Sequence, residues 1–96
     1  MNPATKYYYV YILRSQKDDQ WYTGCTADLR KRFTEHNSGK SAHTSKHMPY
    51  DLIYYEACVN QKDAFARERY LKSGMGKRYV RNRLKYYFES DVYESR

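Results

Sequence analysis

The sequence predicts a small domain of the mixed α/β class, more exactly α+β, in which a three-stranded antiparallel sheet is flanked by about three helices. Three segments dense in β-branched and aromatic residues indicate the strands, and a short polar loop joins the first two into a hairpin. Apolar residues at helical spacing follow the second and third segments. The 96 residues suit a single hydrophobic core, so we expect one domain over 1–96 with its core at about 7–88 and frayed ends.

The three predicted strands differ in how much of their surface is apolar. The first covers Tyr7–Arg14, and alternation gives it apolar side chains on both faces. Such a strand is typical of the centre of a sheet with helices nearby. The second covers Trp21–Cys25, so the hairpin should bring Tyr11 close to Tyr22. The third covers Leu52–Cys58.

The first predicted helix begins near Asp28 and ends at Asn37-Ser38-Gly39. Either Thr26 or Asp28 can supply the side-chain oxygen that caps its first turn. Leu29 and Phe33 are four residues apart, so they share a face that can pack on the sheet.

Two more helices are predicted after the third strand. One runs from Gln61 to Ser73, with Asn60 as its N-cap. The segment Gly74-Met75-Gly76 should break it, because glycine is a poor helix former. The last helix is predicted over Lys77–Phe88.

The segment Gly39–Asp51 is polar and shows no periodicity, so we expect a mobile loop. It could be a flap that contacts phosphates or an inert exposed loop. His43 and His47 have the spacing of a metal-binding pair on a helix. Because Pro49 argues against a stable helix here, we give a zinc site little weight.

The amino-acid composition indicates the kind of binding partner and the cellular compartment to expect. The net charge of +7 and a pI near 9.4 indicate a polyanionic partner, most simply nucleic acid, although a generally basic protein would look the same. Cys25 and Cys58 are far apart and form no Cys-x-x-Cys pair, which favours a reducing compartment. We find no apolar run of membrane-spanning length and no signal peptide, so we expect a cytoplasmic protein with no membrane partner.

A phenol, a guanidinium and an imidazole could converge where the second strand meets the first helix. Tyr22 leaves that strand, and Arg32 and His36 lie four apart beside the apolar stripe of the helix. The same spacing also describes three unrelated surface residues. Glu68 falls within the inward stripe of the second helix, where a carboxylate is costly unless it is paired or bound to a metal. Its partner could be Arg32, Lys72 or a metal ion.

Four short motifs, in their order and spacing, resemble those of a GIY-YIG nuclease domain, most closely the small free-standing bacterial type. The motifs are Tyr9-Val10-Tyr11, Tyr22-Thr23-Gly24, Asp28-Leu29-Arg30-Lys31-Arg32 and Glu35-His36-Asn37-Ser38-Gly39, followed by an Ala-Arg-Glu helix. The resemblance runs from about Tyr8 to Leu84. Tyr9 and Thr23 depart from the family's glycine and isoleucine at structural positions. Cys25 stands where excision-repair members carry lysine, which removes one cation.

The resemblance implies the GIY-YIG endonuclease fold and a metal-dependent endonuclease that hydrolyses phosphodiester bonds in DNA, for example in repair or recombination. It implies that Glu68 is the single protein ligand of one Mg²⁺ or Mn²⁺ ion and that Arg32 clamps the scissile phosphate. Tyr11 or Tyr22 would orient and deprotonate the attacking water. His36 would hydrogen-bond a tyrosine or share the role of general base.

Further residues are expected to support this chemistry. Thr26 and Asn37 would hold the turn and the helix end behind the reacting groups. Basic residues expected to contact the phosphate backbone are Lys40, Lys46, Lys72, Lys77, Arg78 and Arg81. The expected partner is DNA of undetermined strandedness, with RNA less favoured and no obligate protein partner. Two alternatives stay open: a nucleic-acid-binding module without catalysis, and a small interaction domain for an acidic protein.

Overall fold

The computed structural model describes residues 5–95, with side chains described through residue 90. Its elements are β1 (Tyr8–Ser15), β2 (Trp21–Thr26), α1 (Leu29–Asn37), β3 (Tyr50–Cys58), α2 (Gln61–Lys72), α3 (Gly74–Arg83) and α4 (Lys85–Ser95). The expected α+β class is confirmed, with four helices instead of about three. Of the expected frayed start at Met1–Lys6, Met1–Ala4 lie outside the described residues. None of the described helices has the length and apolar character needed to cross a membrane.

β1 is the central strand of the sheet, as its two apolar faces predicted. The strand order is β2-β1-β3, and both pairings are antiparallel. In the hairpin, Tyr11 lies opposite Gly24, and Leu13 lies opposite Tyr22. On its other side Tyr11 lies opposite Tyr55 of β3. The register thus places the two predicted site tyrosines on neighbouring strands, two positions apart.

The first face of the sheet buries a hydrophobic core against α2 and α3. Val10 and Ile12 of β1 pack with Ala64 and Leu71 of α2 and with Val80 of α3, and none of them is more than 1 % exposed. Burying each of the larger side chains contributes about 1.5–3 kcal/mol. This core fixes α2, the helix whose inward stripe contains a carboxylate, against the central strand.

The second face of the sheet packs on α1. Tyr11 and Leu13 of β1 and Tyr50 of β3 are buried there, and Leu29 and Phe33 of α1 contact them. The predicted shared face of Leu29 and Phe33 is therefore confirmed. Because these contacts hold α1 against the strand that carries Tyr11, the polar residues beside the apolar stripe are fixed near that phenol.

The C-terminal helices differ from the prediction. The predicted helix after Asn60 does end here, with α2 stopping at Lys72, but Gly74-Met75-Gly76 forms the first turn of α3. The predicted helix Lys77–Phe88 is divided between α3 and α4, which continues to the end of the described chain. The Ser73 hydroxyl caps α3 by accepting a hydrogen bond from the Gly76 N–H at 3.1 Å. A Cβ at Gly76 would clash with the Tyr70 carbonyl oxygen, so this glycine lets α3 approach α2 closely.

The segment between α1 and β3 has a defined, packed course, which corrects the expectation of a mobile loop. Residues 42–47 form successive turns, and Ser41 and Thr44 are buried beneath them. His47 pairs through Nδ1 with the carboxylate of Asp18 in the hairpin loop. Side-chain hydrogen bonds and burial thus order a stretch that carries no periodic sequence signal.

Candidate active site

The candidate site is built around the phenol of Tyr11. Its ring lies across Gly24 on β2, where a Cβ would clash with the Tyr11 hydroxyl group. Any other residue at position 24 would push the phenol away, so the glycine of the Tyr-Thr-Gly motif is required by this close approach. Tyr11 is only 1 % exposed, and its hydroxyl therefore lies beneath the surface.

α1 brings an imidazole to this phenol. The helix starts where the Asp28 carboxylate accepts a hydrogen bond from the Lys31 N–H at 3.1 Å, which settles the N-cap as Asp28. The Thr26 hydroxyl in turn accepts from the Asp28 N–H at 3.1 Å and holds the turn before the helix. In the last turn, His36 is fully buried, and its Nε2 lies 2.8 Å from the Tyr11 hydroxyl oxygen.

Further side chains enclose the imidazole of His36. Its Nδ1 lies 2.7 Å from the Thr44 hydroxyl oxygen, and the Tyr22 ring centroid lies 4.9 Å from the imidazole centroid. Asn37 ties the helix end to β3, because its amide donates to the Tyr50 carbonyl at 3.0 Å and accepts from the Tyr50 N–H at 2.6 Å. Both nitrogens of His36 are occupied, so neither is free to take a proton from water.

The electrostatics of the site favour uncharged groups at its centre. Burial and then Tyr22 raise the pKa of Tyr11 to about 12, Glu68 adds to the rise, and Arg32 opposes it. Burial and then the charge of Arg32 lower the pKa of His36 to about 4. The charge of Arg32 favours a phenolate at Tyr11, and an unperturbed imidazole has a pKa near 6.5. Burial outweighs both effects in the resting site.

Arg32 and Glu68 act on the same phenol from separate helices. The Arg32 side chain is 34 % exposed, and its Nη1 lies 3.1 Å from Oε1 of Glu35. The Glu68 side chain is 20 % exposed, and its Oε2 lies 3.0 Å from Nζ of Lys72, one of the partners predicted for it. Both Arg32 and Glu68 influence the pKa of Tyr11. His36 and Tyr22 therefore contact the Tyr11 phenol, and the charges of Arg32 and Glu68 lie within electrostatic range of it.

These five residues divide by exposure. Tyr11 and His36 are buried, whereas Tyr22, Arg32 and Glu68 are half-buried. A substrate can therefore meet the second phenol, the guanidinium and the carboxylate directly. Tyr11 and His36 would act on that substrate only through these three groups.

The basic residues predicted to contact nucleic acid are all exposed: Lys40, Lys46, Lys72, Lys77, Arg78 and Arg81. Lys72 lies beside the site through its ion pair with Glu68. Arg81 also has a packing role, since its guanidinium lies 4.9 Å from the Trp21 ring centroid and 5.8 Å from that of Phe88.

Sequence reasoning missed Thr44, which is 1 % exposed and contacts His36. The same segment drew attention to its neighbours His43 and Lys46, whose side chains suggest metal or phosphate binding. A threonine in an aperiodic polar stretch gives no comparable signal. Its position becomes informative only when the turns around it are known.

The residues present fit one hydrated divalent ion. Within residues 5–90, no group of three or more His, Cys, Asp or Glu side chains could hold a metal. The predicted ligand, Glu68, would bind an ion as a single carboxylate, with water as the remaining ligands. Mg²⁺ and Mn²⁺ prefer oxygen ligands, and Mg²⁺ commonly keeps several waters. The Lys72 partner of Glu68 is 55 % exposed, and such ion pairs rearrange at little cost. A cation can therefore replace Lys72 at this carboxylate.

Protonation of His36 is expected to destabilise the fold in acid. The pKa of His36 is about 4 in the folded chain and about 6.5 in the unfolded chain. The stability that depends on a neutral His36 is therefore fully present above pH 6.5 and is lost as the pH falls towards 4. The loss should reach about 3 kcal/mol. Urea denaturation of wild type and His36→Gln across this range measures it, with the exposed His43→Gln as the control. Parallel curves for wild type and H36Q would contradict the expectation.

Comparisons with known proteins place the chain in a family. The model of the GIY-YIG catalytic domain matches residues 7–80. A UPF0213 protein of Clostridium perfringens is 45 % identical over 65 residues, covering 67 % of this chain and 69 % of its own. One of Pediococcus acidilactici is 37 % identical over 87 residues, covering 88 % and 84 %.

A solved structure is also similar. The NMR structure of a UPF0213 protein from Bacillus halodurans has a TM-score of 0.49 at 34 % identity, covering 77 % of this chain and 81 % of that one. The family match spans most of the described residues, including Tyr11, Tyr22, Arg32, His36 and Glu68. This chain therefore belongs to the GIY-YIG catalytic domain family, among the UPF0213 proteins.

Proposed function

We propose that this protein is an endonuclease that hydrolyses phosphodiester bonds in DNA with the help of one Mg²⁺ or Mn²⁺ ion. Membership of a nuclease family supports the reaction class. The net charge of +7 supports a polyanionic substrate, because lysine and arginine release counterions when they bind phosphates.

One observation carries the proposal: Tyr22, Arg32, His36 and Glu68 all act on the phenol of Tyr11. These residues come from β2, α1 and α2. A module that only binds nucleic acid has no need for a half-buried carboxylate on the inward face of α2, within electrostatic range of a buried phenol. Phosphodiester hydrolysis does need such a set, since water must be oriented and growing negative charge neutralised.

The chain's own residues divide this work by position. Arg32 binds the scissile phosphate through its planar N–H donors and gives up its contact with Glu35 to do so. Tyr22, the more exposed phenol, orients the attacking water. Tyr11 and His36 pack against the buried side of Tyr22 and hold its ring in place. A divalent ion on Glu68 would supply further neutralisation of charge on the phosphate.

Cleavage of a substrate panel tests the function. The purified chain is incubated with single-stranded, duplex and branched DNA, and with RNA of the same sequences, in Mg²⁺, Mn²⁺ or EDTA. We expect strand cleavage of at least one DNA substrate with either metal and none in EDTA. Gel analysis of end-labelled strands measures it.

The other outcomes point to different functions. Binding without cleavage of every substrate would favour the nucleic-acid-binding module. Cleavage of RNA alone would overturn the substrate class. Binding to neither nucleic acid would favour an interaction domain for an acidic protein.

A further inference from the structure

Helix α1 covers only part of the second face of the sheet. Tyr11 and Leu13 of β1 are buried beneath it. Towards the start of β1, Tyr9 lies opposite Ala57 of β3, and Tyr11 lies opposite Tyr55. Because opposite residues share a face of the sheet, Tyr55 and Ala57 also lie on this face, and both are exposed. This end of the face is therefore open to solvent, and Tyr9 and Tyr55 stand on it.

A groove of about 490 Å³ lies between this open end of the sheet and the start of α1. Most of its lining comes from apolar and aromatic side chains: Leu29 and Phe33 of α1, Leu52 of β3, and the rings of Tyr9 and Tyr55. The two tyrosine rings meet edge to face, with their centroids 6.0 Å apart and their planes at 64°. They form a corner in which a flat ligand can stack on one ring while its edge faces the other. The volume lies within the range of sites that hold small molecules.

The chemistry of this groove fits a nucleobase. Tyr55 is 54 % exposed, so much of its ring is open to a ligand. Nucleobases are flat, and each has a π-face that stacks on tyrosine whatever the sequence. A base within a duplex is already stacked on both faces and paired at its edge, so only an unpaired base can enter a groove of this kind.

A basic surface adjoins the groove. A second, smaller groove begins at the same turn of α1 and is lined by Lys31 and Lys40, which are exposed. The carboxylates beside these lysines have other contacts, since Glu35 pairs with Arg32 and Asp28 caps α1. Phosphates on either side of a bound base can therefore lie along the two lysines. Bases on aromatic rings, with phosphates along cations, is the arrangement by which proteins hold single-stranded nucleic acid.

The groove also flanks the candidate active site. Tyr11 lies opposite Tyr55 in the pairing of β1 with β3, and its phenol lies across Gly24 of β2. Neighbouring strands lie about 4.8 Å apart, so β2 and β3 are separated by about 10 Å. On α1, Phe33 of the groove directly follows Arg32. A base in the groove would therefore belong to a nucleotide close to the phosphate that Arg32 binds.

We propose that the groove between α1 and the open end of the sheet binds one unpaired nucleobase of a DNA strand, stacked on the ring of Tyr55 beside Tyr9. The consequence for cleavage, a requirement for an unpaired nucleotide next to the cut, rests on the proposed nuclease function. Binding of the base does not, and it can be measured without cleavage.

Affinity for strands with and without bases tests the site. Fluorescence anisotropy in EDTA measures the binding of a labelled oligothymidylate and of an abasic strand of the same length. Tyr55→Ala should weaken binding of the oligothymidylate by about 10-fold and leave binding of the abasic strand unchanged. Tyr55→Phe keeps the ring and should bind both strands like wild type. Tyr86→Ala, which removes an exposed tyrosine from α4, is the matched control and should change neither affinity.

Three results would overturn the proposal: a wild type that binds both strands equally, a Y55A protein with wild-type affinity for the oligothymidylate, or equal losses on both strands, which would assign Tyr55 to the backbone. If Y55A does not fold, Tyr55→Leu replaces it, because leucine keeps an apolar side chain without a ring. If binding depends on bases and on Tyr55 but no DNA is cleaved, the groove stands and the proposed function fails. If DNA is cleaved but Y55A binds like wild type, the function stands and the groove fails.

Discussion

Replacing Glu68 by glutamine is expected to lower kcat for DNA cleavage at least about 1000-fold, or about 4 kcal/mol in activation free energy. The amide keeps the size of the side chain on α2 but cannot bind a divalent ion as a carboxylate does. Within the described residues, no metal-binding cluster is available to replace it. Binding of DNA should be unchanged or tighter, because the substitution removes a negative charge that faces a polyanion. Cleavage rate and affinity for one DNA substrate, at one metal concentration, measure both effects.

The control for this substitution is Glu89→Gln, which removes an exposed carboxylate on α4 and should leave cleavage at the wild-type rate. Retention of half or more of the wild-type rate by E68Q would show that the reaction does not depend on this carboxylate. Loss of affinity equal to the loss of rate would instead assign Glu68 to substrate binding.

Much of the fold could be predicted because local signals agreed with the tertiary contacts. The apolar faces of β1 predicted its central position, and the Leu29–Phe33 spacing predicted the packing of α1. The helices after α2 were predicted less well. Gly74 and Gly76 normally disfavour a helix, but Ser73 caps the turn, and the close contact of Gly76 with Tyr70 offsets the glycine penalty. Such compensation depends on tertiary packing, which a single sequence does not reveal.

The candidate site, like the fold, could be predicted from the sequence only in part. The resemblance to the GIY-YIG domain implied that Tyr11, Arg32 and Glu68 belong to one site, whereas helical and strand spacing alone also fitted unrelated surface residues. The pKa values of the site could not be assigned in this way, since they depend on how deeply α1 and its following segment cover the imidazole of His36. Thr44 was missed for a related reason: its hydrogen bond is set by loop turns, which have no periodic pattern.

Replacing Arg32 by lysine is expected to lower kcat/KM for cleavage by about 100-fold or more, although the charge is kept. Lysine is a point charge and cannot offer the planar pair of N–H donors that matches two phosphoryl oxygens. Arg32 is also oriented before substrate arrives, because Oε1 of Glu35 lies 3.1 Å from its Nη1 and the arginine side chain is only 34 % exposed. A lysine at this position would lose that orientation as well. Affinity for DNA should fall by less than the rate, since the net charge of the protein does not change.

Arg30→Lys is the matched control, because Arg30 lies two residues earlier on α1 and is exposed. It should cleave DNA at a rate within about twofold of wild type, since a solvated arginine that only attracts the backbone is replaceable by another cation. Equal rates for R32K and R30K would mean that Arg32 contributes charge alone. An R32K protein that binds DNA with near wild-type affinity but cleaves it about 100-fold more slowly would place the guanidinium at the phosphate in the transition state.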